Sequence, residues 1–462
     1  SSARSHGEVR FLEFLESGVQ KERRLHQFLK YGVDVYGLGR TLAEVSDGRR
    51  SPTIPTRQVF LSLLMAAVLR VPSLNHLEQL LAEPSFRRLV GGTKGKGRKD
   101  QLFSADTAAD VLDSLDVSTI EDALVGVIKK AERNKAFRDD TFGTFRCAAI
   151  DGWEPFCTYK RHCEGCLTRQ VTIKDKDDDG EVVERKVTQY YHRFAVAFLI
   201  APTFDMTLAI EPVQPADKRE GMSDRQARDE GELTAALRLI DRLKERYGTF
   251  IDALALDGLY ACGPVFEKLK ACGYGGFVIA KRKNAEPYRM ANEIWDTKDG
   301  PDIVEMDPVT GEEVNFWEMK NLDTLSTFNG SVDMLKAVIS SGKGRKKTWA
   351  VAKVGKAKRA SRLVTLRIIR ARWHIENTAF HQWVKHWNLD HCYRHTPNAI
   401  LSVLHIWALA FNLMQLFFYR RLAKPRRGRR STDTFTGCAR SMWLDVGALT
   451  EAIPWHELAD TT

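Results

Sequence analysis

An α/β protein with a helical N-terminal region is what this sequence predicts, on three observations. Before about residue 141, apolar residues recur at helical spacing. From there on, short apolar or alternating runs appear, each bounded by turn residues. Two helical patterns separate the later runs. The chain has 462 residues, 43% of them hydrophobic. That is enough for more than one core, and about two to four domains are expected.

The elements follow in order. Phe60–Leu69 is an apolar run after the break at Pro52 and Pro55, and Leu74–Leu81 and Phe86–Val90 continue the helical pattern. Ser104 precedes the stretch SADTAADVLDSLD as an N-cap, with Asp106 in the acid-favouring first turn. Short helices around a Gly/Lys loop suit a helical DNA-binding domain over 1–140, and a plain helical bundle fits the same pattern. Phe145–Ile150, Phe194–Ile200, Thr207–Val213, Phe250–Leu256 and Phe277–Lys281 read as strands. A helix over Glu232–Tyr247 falls between the third and fourth, and another over Pro264–Ala271 follows the fourth. Three strands, then helix, strand, helix and strand, is the order of a ribonuclease-H-like mixed sheet. The acidic turn Asp175–Glu181 marks a hairpin tip in the connection between the first two strands.

Residues 141–283 are thus the first part of a catalytic core. Residues 284–350, rich in Gly, Pro, Asp and Lys, read as an inserted β-rich subdomain. The core resumes over 351–422 after Trp349–Val354, with Leu363–Ile369 and a long amphipathic helix around Glu376. A basic tail follows over 423–462. Ile400–Tyr419 is long and apolar enough to span a bilayer. It carries Ser402, His405, Asn412 and Gln415, and no other span accompanies it, so it reads as a buried core helix and no membrane partner is expected.

A net charge of +10 and a pI near 9.1 favour a polyanionic partner. Lys94, Lys96, Arg98 and Lys99 occupy one Gly-rich loop, Lys346 and Lys347 follow another, and Arg426 and Arg427 lie in KPRRGRR. Each cluster is either a solvated loop or a phosphate contact. Eight cysteines and no secretory leader point to a reducing, cytoplasmic setting, where cysteines are thiols or metal ligands.

Three carboxylates carry the chemistry. Asp151 ends the apolar run CAAI and Asp257 ends ALAL, each followed by a glycine that lets the chain turn away. Glu376 lies on a helix with Arg372 one turn before it, on a face shared with Ile369 and Phe380. Taken singly, each is also an ordinary turn residue or a surface ion pair. Together, two strand-end carboxylates and one on a late helix are what two-metal phosphodiester chemistry needs. Mg²⁺ suits such a set, because it prefers oxygen ligands and retains several waters. Mn²⁺ is the expected substitute. In a basic protein the natural substrate is nucleic acid.

A second donor set is softer. Cys163-x-x-Cys166 has zinc-ligand spacing, and a hairpin would return His192 to it, with Cys157 or His162 as the fourth donor. Ordinary reduced thiols explain the same residues. In the inserted segment, Trp295 and Trp317 either stack on an unpaired base near a cleaved end or fill the segment's own core.

Three stretches resemble DDE transposases of bacterial insertion sequences, in the group typified by insertion sequence four. They are IDG around Asp151, LDGLYACGP around Asp257, and RWHIEN-x-x-F with WNLDH and HTPNAI from Arg372 to Ile400. The resemblance covers roughly 140–420. It implies a ribonuclease-H-like catalytic domain, Mg²⁺-dependent cut-and-paste, double-stranded DNA as partner, a homodimer in the synaptic complex, and a cytoplasmic, nucleoid-associated protein. Asp151, Asp257 and Glu376 take the triad positions, and Arg372 takes the Arg of the Tyr/Arg/Glu/Lys signature. Ile369 stands at the signature Tyr and Trp383 at the Lys, while Lys385 falls on nearly the opposite helix face. The competing readings are a metal-dependent nuclease without strand transfer and a domesticated DNA-binding protein.

Overall fold

Helical spacing before residue 141 becomes, among the described residues, α1 (Arg24–Tyr36), α2 (Leu38–Glu44), α3 (Thr56–Leu69), α4 (Leu74–Ala82), α5 (Pro84–Leu89), α6 (Ala105–Ser114) and α7 (Val117–Arg133). Extended structure then takes over with β1 (Cys147–Trp153), β2 (Cys157–Thr158), β3 (Leu167–Lys176), β4 (Val182–Tyr191), β5 (Phe194–Ile200) and β6 (Met206–Pro212). There follow α8 (Glu232–Tyr247), β7 (Ala253–Leu256), α9 (Gly263–Cys272), β8 (Gly275–Ile279) and α10 (Glu286–Trp295). Strands β9 (Ile303–Met306), β10 (Glu313–Leu322), β11 (Val332–Ser340) and β12 (Lys346–Val354) come next. The chain ends in α11 (Arg362–Ala371), α12 (His381–Trp387), α13 (Pro397–Leu416) and α14 (Phe435–Ala448). The computed structural model describes residues 23–92, 101–176, 182–216, 229–280, 286–323, 325–340, 346–422 and 434–448. The chain divides into two compact units. One comprises Ser1–Ala136, Pro155–His192 and Gln382–Thr462, the other Phe137–Glu154 and Arg193–His381.

The second unit holds a nine-stranded sheet in the order β6-β5-β1-β7-β8-β12-β11-β10-β9. β5 is antiparallel to β1 and to β6, whereas β7 is parallel to β1 and β8 to β7. This is the ribonuclease-H-like arrangement that the strand order predicts. The physical reason is visible in burial: every residue of β5, β7 and β8 is buried, as expected of strands covered on both faces. The crossover helix α8 buries Ala235, Ala236, Leu239, Ile240, Leu243 and Tyr247, a single stripe, and packs on β5 and β6.

The inserted segment 284–350 supplies α10 and β9 to β12, but these strands do not close a sheet of their own. β12 pairs with β8 and carries the core sheet onward to β9. Helix α11 returns across the extension, packing Leu366 against Val314, Phe316, Leu335, Ala337 and Ile339.

The first unit combines α1 to α7 with the hairpin β3–β4 and helices α12 to α14. Ser104 accepts a hydrogen bond from the Thr107 amide at 3.2 Å, as its N-cap reading requires. The acidic stretch expected as a hairpin tip joins β3 to β4, whose ladder closes at Lys176 and Val182, and its residues 177–181 lie outside the described residues. Helix α13 packs against α3, α6 and α7 and is buried almost throughout, so the apolar run near residue 400 is a core helix. Residues 423–462 are not tail alone, because α14 packs on α1 and α3.

Trp407 of α13 is 1% exposed and donates its indole hydrogen to the Trp387 carbonyl at 2.9 Å. Trp407→Ala leaves a large cavity and an unpaired carbonyl, and it should lower stability by about 3–5 kcal/mol. The urea midpoint followed by tryptophan fluorescence checks this. An unchanged midpoint would contradict the packing described.

Candidate active site

Backbone pairing brings the first two carboxylates together. β1 and β7 run parallel, with Ala149 opposite Ala255 and Ile150 opposite Leu256. Asp151 and Asp257 are the next residues on each strand, so they emerge at the same level on neighbours about 4.8 Å apart. Asp151 is not the end of its strand, however. It stays in β1 opposite Val196 of β5, and Gly152 continues the ladder opposite Ala195. Gly152 therefore does not turn the chain. A Cβ there would lie 1.9 Å from Glu232 Oε2, so the position needs glycine to admit that carboxylate. Asp257 instead begins a short 3₁₀ turn, Gly258–Tyr260, and its side chain accepts from the Leu259 amide at 2.7 Å.

Glu376 is held differently from the expected long regular helix. Helix α11 ends at Ala371, Arg372 and Trp373 form a turn, and Ile375–Phe380 is a π-helical segment leading into α12. Such π turns recur at functional sites. Arg372 is 3% exposed and spans two acids, donating to Asp151 Oδ2 at 3.0 Å and to Glu376 Oε1 at 2.9 Å. The Arg372 side of this pair is thus buried, whereas the Glu376 side chain is 37% exposed. Phe380, one turn after Glu376, stacks on Trp153 of β1 at 5.7 Å between ring centres. Further back, Arg362 pairs with Glu305 and Glu318, Arg367 with Asp307, and Arg370 with Glu312. These pairs fix α11 to β9, β10 and the turn joining them, and so set where Arg372 and Glu376 arrive.

The electrostatics are those of crowded acids. Burial pushes the Asp151 carboxyl up to about 7, with Glu376 and Asp257 adding to the rise while Arg372 and the Gly152 amide oppose it. A further carboxylate, Glu232 at the start of α8, accepts from the Tyr260 hydroxyl at 2.7 Å and pairs with Arg193. Burial, then the Glu232 charge, raises the Tyr260 hydroxyl well above its ordinary value, so it remains a donor. Sequence reasoning marked Glu232 only as a helix start. Its signal was an acid in a first turn, which is common on any surface helix. The oxygen-only donors and their mutual repulsion fit a hard divalent cation such as Mg²⁺. Arg372, wedged between two of them, already stands where positive charge is needed.

Other expected residues are distributed as follows. Trp295 is 2% exposed, which corrects its reading as a stacking platform: its ring is covered by the segment it was expected to serve. Trp317 is half-buried beside Lys336. Lys346 and Lys347 are exposed on β12. Lys94, Lys96, Arg98, Lys99, Arg426 and Arg427 lie outside the described residues. Ile369 and Trp383, at the signature Tyr and Lys positions, are both buried. The exposed aromatic nearest Glu376 in sequence is Trp373, at 40%, its ring beneath the Arg372 guanidinium at 5.1 Å. Cys163, Cys166 and His192 come together, but the fourth donor is His395. Cys157 is exposed in β2 opposite Tyr191, and His162 stacks on Tyr190, so neither occupies that place.

Residues 223–413 match the family described as Transposase DDE domain. The chain carries a DDE transposase domain. No curated protein sequence matches the chain. The DDE domain match includes Asp257, Arg372 and Glu376 and begins after Asp151. Asp151 therefore joins the site through the β1–β7 pairing and the Arg372 bridge. The matched domain supports a DNA-cleaving function, with DNA as the substrate class.

The raised Asp151 value has a sign that can be checked. The folded state holds this proton more tightly than the unfolded chain, whose aspartates titrate near about 4. The contribution to stability is full below that value and is lost as pH rises through about 7. Without added divalent cation, unfolding free energy should decline across this window, and Asp151→Asn should flatten the decline. Parallel pH profiles for the two proteins would contradict the assignment.

Proposed function

We propose that this protein is a transposase of the insertion-sequence-four-like group. It binds the terminal repeats of its element, cuts the ends by two-metal hydrolysis, and joins the freed 3′-OH ends to target DNA, acting on double-stranded DNA as a homodimer. The observation that carries this reading is the convergence of Asp151, Asp257 and Glu376 within a DDE domain. Two of them are aligned by parallel strands and the third is tied back through Arg372.

Asp151, Asp257 and Glu376 would hold the divalent cations, Mg²⁺ with Mn²⁺ as a substitute. Bound there, the ions would activate the attacking oxygen and stabilise the leaving one. The chain's own groups do the rest. Buried packing around Asp151 limits competing water, and the β1–β7 pairing holds the two aspartates in register without reorganisation. Arg372 keeps Asp151 and Glu376 at fixed separation, and its planar guanidinium is suited to a phosphate oxygen. Tyr260 and Arg193 hold Glu232 against Gly152, so the strand carrying Asp151 is supported from behind.

The test uses labelled terminal DNA. Asp151→Asn, Asp257→Asn and Glu376→Gln should each reduce cleavage to background while DNA binding persists, since each removes one metal-binding charge and little surface. Wild-type cleavage in any of the three would take that residue out of the catalytic set. Joined products from pre-cut ends distinguish strand transfer from a nuclease sharing the same core.

Trp373 gives a second prediction. An exposed indole three residues before Glu376 can stack on a base freed from the duplex. Trp373→Ala should weaken binding of ends with unpaired bases by about 1–3 kcal/mol and leave the melting temperature unchanged. Equal binding by the variant and the parent would remove Trp373 from the DNA path.

A further inference from the structure

A second donor cluster lies outside the carboxylate site, within the first unit. Cys163 and Cys166 flank the turn Glu164-Gly165, closed by the Cys166 amide donating to the Cys163 carbonyl at 3.1 Å. Their sulfurs are 3.7 Å apart and unbonded. His192, the residue after β4, brings its Nε2 to 3.3 Å from Cys163 Sγ and 3.4 Å from Cys166 Sγ. His395 brings its Nε2 to 3.4 Å from Cys166 Sγ. All four donor atoms lie within 4.8 Å of one another.

Four of these separations, 3.7, 3.3, 3.4 and 3.4 Å, are close to the edges of a coordination tetrahedron. With Zn–S near 2.3 Å and Zn–N near 2.0–2.1 Å, tetrahedral angles require about 3.8 Å between sulfurs and about 3.6 Å between sulfur and nitrogen. The spacing is set by the surroundings. A Cβ at Gly165 would come 2.9 Å from Pro397 Cγ and 3.4 Å from His192 Cε1, so glycine there lets the knuckle approach both. His395 is bracketed by Arg394 and Thr396, both bonded to Asp113, and Thr396 caps α13. The ring of Phe156 lies beside both histidines, which keeps that side apolar.

We propose that Cys163, Cys166, His192 and His395 form a structural zinc site. Two thiolates and two imidazoles select Zn²⁺ over hard cations, and four protein donors close the coordination shell, leaving no position for substrate. The ion would tie together the knuckle, the end of the β3–β4 hairpin and the loop entering α13, joining residues 229 positions apart between Cys166 and His395. A cross-link over such a span removes much freedom from the unfolded chain. It has no part in the phosphodiester chemistry.

The full-length protein, purified from zinc-supplemented cells without chelator, should contain about one zinc per chain by elemental analysis. Reconstitution of metal-free protein with Co²⁺ should give the intense visible bands of a tetrahedral thiolate centre. His395→Ala should lose the metal and those bands. His395→Cys, which restores a fourth soft donor, should retain both and guards against a variant that fails to fold. Cys157→Ser and His162→Ala should leave zinc content unchanged. Parent protein with no zinc and no cobalt bands would overturn the proposal. Zinc loss on removing Cys157 or His162, with His395→Ala keeping its metal, would overturn the donor set.

Discussion

Like charges confined by backbone pairing are the constraint on which this protein depends. The parallel register of β1 and β7 forces Asp151 and Asp257 out of neighbouring strands at one level. Asp151 cannot retreat without breaking its ladder with β5, and Asp257 is held by the Leu259 amide directly after β7. Burial first, and repulsion from Glu376 and Asp257 after it, push the Asp151 proton affinity up against the pull of Arg372. The sheet tolerates this because its central strands are buried on both faces and supply cohesive energy independent of the acids. Negative charge is thus concentrated at one level of the domain, with Arg372 set against it.

The third acid meets the other two through devices of a different kind. Four ion pairs anchor α11 to the outer strands β9 and β10 and the turn between them. The helix then breaks into a π segment, which rotates Glu376 relative to a regular α-helical path. Arg372 and the Trp153–Phe380 stack lock the result to β1. The sheet extension built from the inserted segment is therefore part of the site's support, since the basic residues of α11 stand on it.

Two donor chemistries coexist in the chain. The acids offer hard oxygens beside a guanidinium, whereas the Cys/His cluster gathers two sulfurs and two imidazole nitrogens within 4.8 Å of one another. Oxygen sets of the first kind suit hard cations that keep open positions, and sulfur–imidazole sets of the second kind suit closed structural shells.

Much was legible in the residues alone. Period and punctuation marked the core strands β1 and β5 to β8, the crossover helix α8, the N-cap at Ser104 and the buried character of α13, because these depend on local apolar spacing. Asp151, Asp257, Glu376 and the Arg372 spacing were visible as acids at the ends of apolar runs and one turn apart on a helix. What only tertiary structure decided involves partners distant in the chain. Nothing near Gly152 in sequence announces that Glu232 will press against it, and nothing near Cys163 announces His395. Whether Trp295 would stack on a base or fill the segment's core was open in the sequence, and burial decided for the core. The extension of the core sheet by β12 likewise depended on an edge left open by β8. Local spacing determines which face of an element is apolar; which distant chain covers that face is a matter of packing, and packing is where these residues acquired their neighbours.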